Sequence, residues 1–371
     1  MAVKKRALII DNSVSWTGAY AGAAAISKLV KDEFDVFILL NSRSSLLAGA
    51  NELFKDSFSL PMLEIRKSVF SLFFYIPFLI INTIRLRFLI KKHKIDVVVI
   101  NDYYNLMGVM LKIIFWRGRV VTFVRYMPLS QNKILNFIWS RLAILVTDVV
   151  VPVSFAVAQQ LPSCSRIKVV YNPSIFDDVA FTKKGLGESF VFLYVSNYIK
   201  GKGQDCAIKA FAKSFCDCSD VELHLCGSDM GLDKNALWKR QLKNIALELG
   251  VLEKVVFDDF DPDVLTKIQR SDVVLNFSGS ESFSQTCYEA ISCGRPVIST
   301  DSGGPREIIK DGVSGYLVPV GDVDAMSEKM RQLYIDQDMR FDMGLAGFND
   351  SKLKFSKEKI KSDLLDVMGL V

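Results

Sequence analysis

The chain has 371 residues, half of them hydrophobic and 23% charged, which is typical of a folded protein of two or three domains and excludes a disordered or collagen-like chain. Its net charge of +5 is divided unevenly, because residues 1–165 contain 20 Lys or Arg and 10 Asp or Glu whereas the remainder contains 26 and 31. The two halves are therefore expected to meet different partners, and nucleic acid or an anionic membrane would suit the basic half.

Apolar strands separated by helical stretches make up the N-terminal half. Three of the first six residues are basic and no long apolar stretch follows them, so no secretory signal is predicted. Strands are predicted at residues 7–10, 35–40, 96–100, 120–124 and 148–152, and a helix of small residues at 19–29. This alternation indicates βα units on a parallel sheet.

The same alternation restarts after a turn at Asn172-Pro173. Strands are predicted at residues 190–195, 221–226, 255–257, 273–277 and 296–300, with helices at 204–215, 234–248 and 264–270 and a further helix ending near Cys293. The pattern predicts two consecutive parallel α/β domains, residues 1–165 and residues 166–350. Residues 351–371 are predicted to form a helix that packs back toward the first domain.

The most unusual local composition lies at about residues 65–95. No acidic residue falls between Glu64 and Asp96. The segment contains seven basic residues, Arg66, Lys67, Arg85, Arg87, Lys91, Lys92 and Lys94, and its apolar part contains five aromatic ones, Phe70, Phe73, Phe74, Tyr75 and Phe78. Its apolar part, residues 69–84, is shorter than the ~20 residues of a spanning helix and is interrupted by Pro77 and Asn82.

Two interpretations of this segment remain open. Aromatic side chains at the headgroup boundary and basic ones on anionic lipid would form an interfacial helix, which the composition favours. The alternative is a buried core helix with a solvated basic end. Nucleic acid is not expected as a partner, because the charge lies beside bulky aliphatic residues rather than among polar residues that read bases.

Cysteine usage indicates a reducing compartment. All seven cysteines lie from Cys164 onward without regular spacing, and the chain has only two histidines, His93 and His224. A disulfide framework or a Cys/His zinc site is therefore not expected, and a cytoplasmic protein is.

The most informative stretch is residues 271–319, which is predicted to run strand, loop, helix, strand, Gly-rich loop and helix. Its first loop, residues 278–284, follows the carboxyl end of a strand, where open α/β sheets bind ligands. The N-terminus of the next helix would point backbone N–H groups at this loop and favour a phosphate there. Glu281 and Glu289 would each suit a vicinal diol of a sugar or ribose.

Four motifs follow one another in this stretch. They are a glutamate pair with seven intervening residues (Glu281, Glu289), an Ala-x-x-x-Gly-x-Pro-Val pattern (Ala290, Gly294, Pro296, Val297), a double glycine with a following Glu (Gly303, Gly304, Glu307) and an Asp-Gly-x-x-Gly turn (Asp311, Gly312, Gly315). With them, residues 190–319 resemble the retaining glycosyltransferases of family 4. The resemblance implies the GT-B fold, in which two Rossmann-like domains face each other across a cleft.

The resemblance also implies a reaction and roles for single residues. A sugar would pass from a nucleotide diphosphate sugar to a hydroxyl of a glycan or lipid-linked glycan with retention of its anomeric configuration. Glu289 would hold the ribose and Glu281 would orient the donor sugar. Lys202 and the backbone amides of Phe283 and Ser284 would stabilise the diphosphate. No metal, other cofactor or protein nucleophile is expected.

The family resemblance further implies a biological setting. Hexosyl transfer for bacterial cell-surface polysaccharide, such as a lipopolysaccharide core or O-antigen, would take place at the inner face of the cytoplasmic membrane. The second domain would bind the nucleotide sugar and the first the acceptor.

The chain departs from the family pattern at three places. Asn197 stands at the position of a family arginine, and Lys200 is the candidate to supply part of the missing charge. The Gly-rich loop of the first domain has its counterpart in residues 16–19, where Gly18 is the glycine present. A first-domain histidine of many relatives has its nearest counterpart in Arg125, a candidate for the acceptor or phosphate cleft.

Two other functions remain as alternatives. A nucleotide-sugar 2-epimerase of the same fold would need acid and base side chains near the sugar, and the scarcity of histidine argues against it. A non-catalytic nucleotide-sugar binder would be consistent with Asn197 and Arg125, but Glu281, Glu289 and Lys202 argue against it.

Overall fold

The computed structural model describes residues 4–63, 69–130, 133–174, 176, 179–181, 189–259, 261 and 263–370. The chain forms two compact units. Unit 1 consists of Met1–Ile175 together with Lys357–Val371, and unit 2 is Phe176–Ser356.

Unit 1 is built on a parallel sheet that has six strands in the described residues. These are β1 (Lys5–Asp11), β2 (Phe34–Asn41), β3 (Asp56–Leu60), β4 (Val97–Ile100), β5 (Arg119–Val124) and β6 (Val149–Pro152). Their order across the sheet is β3-β2-β1-β4-β5-β6. Every residue of β4 and β6 is buried, as expected for strands that helices cover on both faces.

In the described residues that precede unit 2, six helices accompany this sheet. They are α1 (Gly18–Leu29), α2 (Ala50–Leu53), α3 (Val69–His93), α4 (Met107–Ile113), α5 (Lys133–Val146) and α6 (Phe155–Ala158). Helix α1 begins at a cap, where the Thr17 hydroxyl accepts a hydrogen bond from the Tyr20 N–H. The small residues that follow are buried, so α1 packs closely on the sheet.

Unit 2 repeats the same design. Its six described strands are β7 (Phe190–Val195), β8 (Val221–Cys226), β9 (Val255–Asp258), β10 (Val273–Asn276), β11 (Val297–Thr300) and β12 (Gly315–Val318), in the order β12-β11-β10-β7-β8-β9. Counted from its own first strand, this is the order of unit 1, that of a doubly wound sheet. The prediction of two Rossmann-like parallel α/β domains is confirmed.

The helices of unit 2 are α7 (Gln204–Phe215), α8 (Asp233–Glu248), α9 (Val264–Arg270), α10 (Gln285–Ser292), α11 (Pro305–Ile308), α12 (Val323–Ile335) and α13 (Gln337–Lys354). Helix α7 covers the sheet with Ile208, Phe211 and Phe215, which are fully buried among the strand side chains. The same core contains side chains of β7 and β10. It therefore holds these two strands in place and sets where the loops at their carboxyl ends begin.

The last helix, α14 (Lys357–Met368), belongs to unit 1 although it follows unit 2 in the chain. Its apolar face, which includes Ile360 and Leu364, is buried. Polar contacts fix its end, because the Arg119 guanidinium donates to the Val367 carbonyl at 2.7 Å and Lys168 pairs with Asp366 at 2.5 Å. The chain therefore closes unit 1 with its first and last segments.

Two short strands were not predicted from the sequence. Strand β3 (Asp-Ser-Phe-Ser-Leu) contains no β-branched residue and lies at an edge of its sheet, where β2 is its only partner among the described strands. Strand β12 is four residues long and begins at Gly315, within a turn motif. In both cases pairing with a neighbouring strand forms the element, although the local sequence favours a strand only weakly.

Candidate functional site

The loops at the carboxyl ends of three neighbouring strands of unit 2 are hydrogen-bonded to one another. Strand β10 pairs with β7 on one side and with β11 on the other. From the loop after β10, the Gly279 N–H donates to the Gly201 carbonyl at 3.1 Å and the Glu281 N–H donates to the Ser302 carbonyl at 3.1 Å. The loop after β10 is therefore held between the loops after β7 and β11, at the ligand-binding edge of the sheet.

Lys202 and Glu281, predicted from sequence to be catalytic, form an ion pair. The Lys202 Nζ lies 2.8 Å from the Glu281 Oε1, although the two residues are 79 positions apart in the chain. The lysine side chain is 34% exposed and the glutamate side chain 14% exposed. A partly exposed cation is thus held at a fixed place beside the loop after β10, where an anionic ligand can reach it.

Tyr194, at the end of β7, fixes the backbone of this lysine. Its hydroxyl donates to the Lys202 carbonyl and accepts from the Phe277 N–H at 2.7 Å. The tyrosine is 1% exposed, and burial raises its pKa well above the ordinary value. Sequence reasoning missed this residue; the only signal was a tyrosine near the end of an otherwise apolar strand.

The loop after β10 ends at the cap of α10. Ser284 has a φ of +73°, a backbone region that non-glycine residues rarely adopt. Its hydroxyl accepts from the Asn276 amide at 2.5 Å and from the Cys287 N–H at 3.4 Å. This network holds the strained residue in place, and the positive end of the α10 dipole lies at the loop.

Glu289 lies one turn inside α10 and is only 6% exposed. Burial raises the pKa of its carboxyl to about 7, and a side-chain hydrogen bond with Gln285 acts in the opposite direction. A buried carboxyl group with a pKa near neutrality, one turn from the loop after β10, is a candidate functional group.

Phe283 contributes its ring to the core rather than to a surface. The ring is 1% exposed and lies 5.8 Å, centroid to centroid, from both Tyr288 and Phe355. Only its main chain can therefore serve the role that the sequence predicts for it.

Asn197 and Lys200 lie in the loop after β7 but make different contacts. The Asn197 side-chain oxygen accepts from the Ser228 N–H at 3.2 Å, so the amide joins two loops. The exposed Lys200 ammonium lies 5.9 Å from the centre of the Trp238 ring. Lys202, and not Lys200, is therefore the lysine that the fold directs toward Glu281.

Gly203 makes the close approach of these loops feasible. It has a φ of +80°, and a Cβ added there would lie 2.1 Å from the Phe277 carbonyl oxygen. Gly203→Ala is expected to reduce the free energy of unfolding of unit 2 by about 2–4 kcal/mol, because the clash adds to the backbone strain. Gly201→Ala is the matched control: its φ is +96° but a Cβ there meets nothing within 4 Å, so about 1 kcal/mol is expected. Equal losses in chemical denaturation of the two variants would contradict the close approach.

The remaining two predicted site residues belong to unit 1. Gly18 is the first residue of α1. Arg125 is 8% exposed, and it donates from Nε to the Asn101 side-chain oxygen at 2.7 Å and from a terminal nitrogen to that of Asn172 at 2.5 Å. Burial lowers its pKa to about 10, against the effect of nearby Asp11 and Asp102 carboxylates. These contacts make Arg125 an internal support at the carboxyl ends of the strands.

In the described part of the chain, no group of three or more His, Cys, Asp and Glu side chains is arranged to hold a metal ion.

Two family models match the chain. The model described as Glycosyltransferase Family 4 matches residues 24–173, and the model described as Glycosyl transferases group 1 matches residues 177–350. Together they span most of the chain, one in each half.

Curated relatives match the chain over part of their length, as two of them show. The N-acetyl-alpha-D-glucosaminyl L-malate synthase of Bacillus anthracis is 29% identical over 247 residues, which is 63% of this chain and 61% of that protein. The lipopolysaccharide 1,6-galactosyltransferase of Salmonella typhimurium is 31% identical over 167 residues, 44% of each chain. The match thus spans between two fifths and two thirds of these relatives.

The fold is shared with solved structures over nearly the whole chain. The Anabaena protein HepE, crystallised with UDP and glucose, has a TM-score of 0.83 at 19% identity and covers 99% of this chain and 100% of its own. The lipopolysaccharide outer core galactosyltransferase WaaB in its apo form has a TM-score of 0.71 at 18% identity, over 98% and 99%.

Proposed function

Because the chain belongs to the family 4 glycosyltransferases of the GT-B fold, we propose that it transfers a sugar from a nucleotide diphosphate sugar to a hydroxyl of a glycan or lipid-linked glycan, with retention of configuration. The observation that carries the proposal is the Lys202–Glu281 pair beside the capped N-terminus of α10. A fixed cation and a helix N-terminus at the ligand-binding edge of a sheet form a site for a diphosphate.

In the proposed reaction, negative charge develops on the diphosphate as it leaves the sugar. The bond between the sugar C1 and the diphosphate oxygen breaks, the acceptor oxygen bonds to C1 on the same face, and the acceptor proton passes to the departing phosphate. Lys202 stabilises the negative charge that develops on the leaving group, because its ammonium is already held in place before the bond breaks. Glu281 orients the donor sugar and Glu289 accepts hydrogen bonds from the ribose hydroxyls.

The test of this proposal is nucleotide release. UDP-, GDP-, ADP- and dTDP-sugars would each be incubated with the protein, with and without a lipid-linked glycan, and free nucleoside diphosphate would be measured. UDP-sugars stand first because HepE was solved with UDP. One donor is expected to release nucleotide faster when an acceptor is present. Conversion of the donor to an epimeric sugar would instead indicate the epimerase, and binding without release would indicate a binder.

Glu289→Ala is expected to weaken donor binding by about tenfold to a hundredfold. A hydrogen bond to a buried charged group is worth about 1.5–3 kcal/mol. Its loss lowers the binding affinity of the nucleotide itself, independently of the rate of sugar transfer. Calorimetric titration with the free nucleoside diphosphate measures the effect, and unchanged affinity would contradict the ribose assignment.

The affinity of the donor should also depend on pH. The carboxyl of Glu289 has a pKa of about 7 in the free protein, and the ribose hydroxyls donate to its ionised form. Donor affinity is therefore expected to rise by about tenfold between pH 6 and pH 8, as the ionised fraction rises. Glu289→Gln keeps the shape and does not titrate, so its donor affinity should be flat over this range. A rise that persists in this variant would belong to another group.

We further propose that unit 1 docks on an anionic membrane surface. On α3, Tyr75, Leu86 and Ile90 are buried. The opposite face carries an apolar stripe at helical spacing, with exposed fractions of 52% for Ile76, 44% for Ile80, 50% for Ile84 and 71% for Phe88. Exposed apolar side chains in a row on one helix are costly in water and typical of a contact surface.

Basic residues continue this stripe toward the end of α3. Arg85, Arg87, Lys91 and Lys92 are exposed, and the helix contains no acidic residue. This combination supports an interfacial helix over the buried alternative for the residues whose side chains are described. Residues 65–68 and the side chains of Phe70, Phe73 and Phe74 lie outside the described part. Among the described residues no helix is long and apolar enough to cross a membrane.

A further inference from the structure

The backbone of Lys202 lies between two glycines in unusual conformations. Gly201 has a φ of +96° and Gly203 a φ of +80°. Glycine adopts more backbone conformations than any other residue, so this short segment does not by itself determine where the lysine side chain points. Contacts from outside the segment must therefore set the position of the Lys202 ammonium.

The Tyr194 hydroxyl provides such a contact. It donates to the Lys202 carbonyl and accepts from the Phe277 N–H at 2.7 Å, and the Ser278 hydroxyl donates to the same carbonyl at 3.4 Å. One side-chain oxygen thus joins the backbone that precedes α7 to the backbone at the end of β10.

The position of this hydroxyl is itself fixed by the core of unit 2. Tyr194 lies on β7, which pairs with β8 on one side and with β10 on the other. Its side chain is 1% exposed, and its ring packs edge-to-face on the Phe277 ring with 6.1 Å between the centroids. Burial raises the pKa of the phenol well above its ordinary value, so the hydroxyl keeps its proton and remains a donor.

Both members of the ion pair between Lys202 and Glu281 lie in segments that this hydroxyl anchors. The lysine belongs to the segment whose carbonyl accepts the hydrogen bond, and Glu281 lies four residues after Phe277, whose N–H donates to the hydroxyl. Loss of the hydroxyl would therefore loosen the lysine relative to the carboxylate and to any diphosphate bound beside it.

We propose that Tyr194 is a positioning residue for sugar transfer: its hydroxyl holds the Lys202 backbone so that the ammonium meets the departing diphosphate. The tyrosine is buried and acts through the lysine, without contact with the donor. The inference rests on the proposed transferase function, because it concerns the same diphosphate site.

The first test is a double-mutant cycle of Tyr194 and Lys202. Tyr194→Phe keeps the ring and is expected to lower the single-turnover rate of transfer by about tenfold, because displacement of a catalytic group by about 1 Å can cost about a hundredfold. The donor Kd should change by less than about threefold. In a Lys202→Ala background the same substitution should change the rate by less than about twofold, since its effect passes through the lysine.

Tyr198→Phe is the matched control. Tyr198 is fully buried in the same unit, and its hydroxyl lies 2.8 Å from the Leu225 carbonyl oxygen and 3.0 Å from the Asp258 carbonyl oxygen. Its loss is expected to lower the melting temperature about as much as Tyr194→Phe does, but to change the transfer rate by less than about threefold. The comparison separates positioning of the lysine from a general loss of stability.

The second test measures the lysine without any turnover. Trace acetylation of the full chain with acetic anhydride, followed by mass spectrometry, gives the reactivity of Lys202 relative to the exposed Lys200. Tyr194→Phe should raise this ratio by at least about threefold, because the Lys202 ammonium leaves its ion pair more often, and Tyr198→Phe should leave the ratio unchanged. If Tyr194→Phe does not fold, Ser278→Ala replaces it, with a smaller expected rise of about twofold.

Two outcomes would overturn the proposal: an equal loss of rate from Tyr194→Phe with and without Lys202, or an unchanged reactivity ratio in a folded variant that lacks the hydroxyl. Circular dichroism and melting temperature establish folding. A raised ratio in a protein that transfers no sugar would support the contact with the lysine and contradict the proposed transferase function. Transfer with an unchanged ratio would do the reverse.

Discussion

Lys202→Ala is expected to lower kcat by about a hundredfold to a thousandfold while weakening donor binding by less than about tenfold. The diphosphate gains charge as the sugar leaves, so a fixed cation stabilises the transition state more than the bound donor. In other enzymes, removal of one preorganised hydrogen-bond donor from the active site lowers kcat by a similar factor. Single-turnover rates and the donor Kd, measured separately, give the two numbers.

Lys200→Ala is the matched control for this variant. It removes the same charge two residues away, from an exposed side chain that lies over Trp238 rather than beside Glu281. A change of less than about threefold in kcat is expected. If Lys200 proves essential and Lys202 does not, the alignment of this loop with the family motif is wrong by two residues.

Changing Arg85, Arg87, Lys91 and Lys92 together to Ser is expected to lower affinity for anionic vesicles by several hundredfold. Each basic residue near an anionic surface contributes about 1 kcal/mol, and this field extends over only about a Debye length. Sedimentation with phosphatidylglycerol vesicles at low and high salt measures the effect. Binding of the unmodified protein should fall with added salt, and the apolar stripe should supply the remainder that salt does not remove.

The matched control replaces four exposed basic residues of unit 2 by Ser: Lys234, Arg240, Arg270 and Arg331. Both variants change the net charge by the same amount, so only the position of the charge differs. The control should sediment with vesicles as the unmodified protein does. Docking through α3 would be contradicted if the unmodified protein showed no salt-sensitive binding to the vesicles. It would also be contradicted if both variants lost binding equally.

The predicted site residues in unit 2 could be named from sequence because the motifs that carry them are local. Glu281 and Glu289 fall within one strand–loop–helix segment, so their spacing alone places one in the loop and the other inside the helix. Lys202 lies far away in sequence, but strands β7 and β10 are parallel neighbours, which brings their carboxyl ends together.

The contacts that hold these residues could not be predicted in the same way. The hydrogen bonds of Tyr194 join three segments through the backbone, which leaves no trace in side-chain spacing. The raised pKa of Glu289 depends on burial by the whole unit, since the residue type alone suggests a solvated carboxylate.

In unit 1 the sequence showed which segments are unusual, but not which of their side chains are exposed or what they contact. The basic, aromatic segment was evident, but only the helix register shows that Ile76, Ile80 and Ile84 face solvent. Arg125 was a candidate for a phosphate cleft, and the structure gives it two asparagine partners inside the unit. Its burial depends on strands from distant parts of the chain, and a single sequence contains no record of them.

The most direct test of the central claim, that unit 2 binds a nucleotide diphosphate sugar, is a thermal-shift screen of the full chain against UDP-, GDP-, ADP- and dTDP-sugars. A ligand at 100 times its Kd stabilises the folded state by about 2.7 kcal/mol, a shift that is readily measured. We expect one nucleotide to raise the melting temperature of the unmodified protein and to do so much less for Glu289→Ala. No shift with any of the four donors at millimolar concentration would contradict the account.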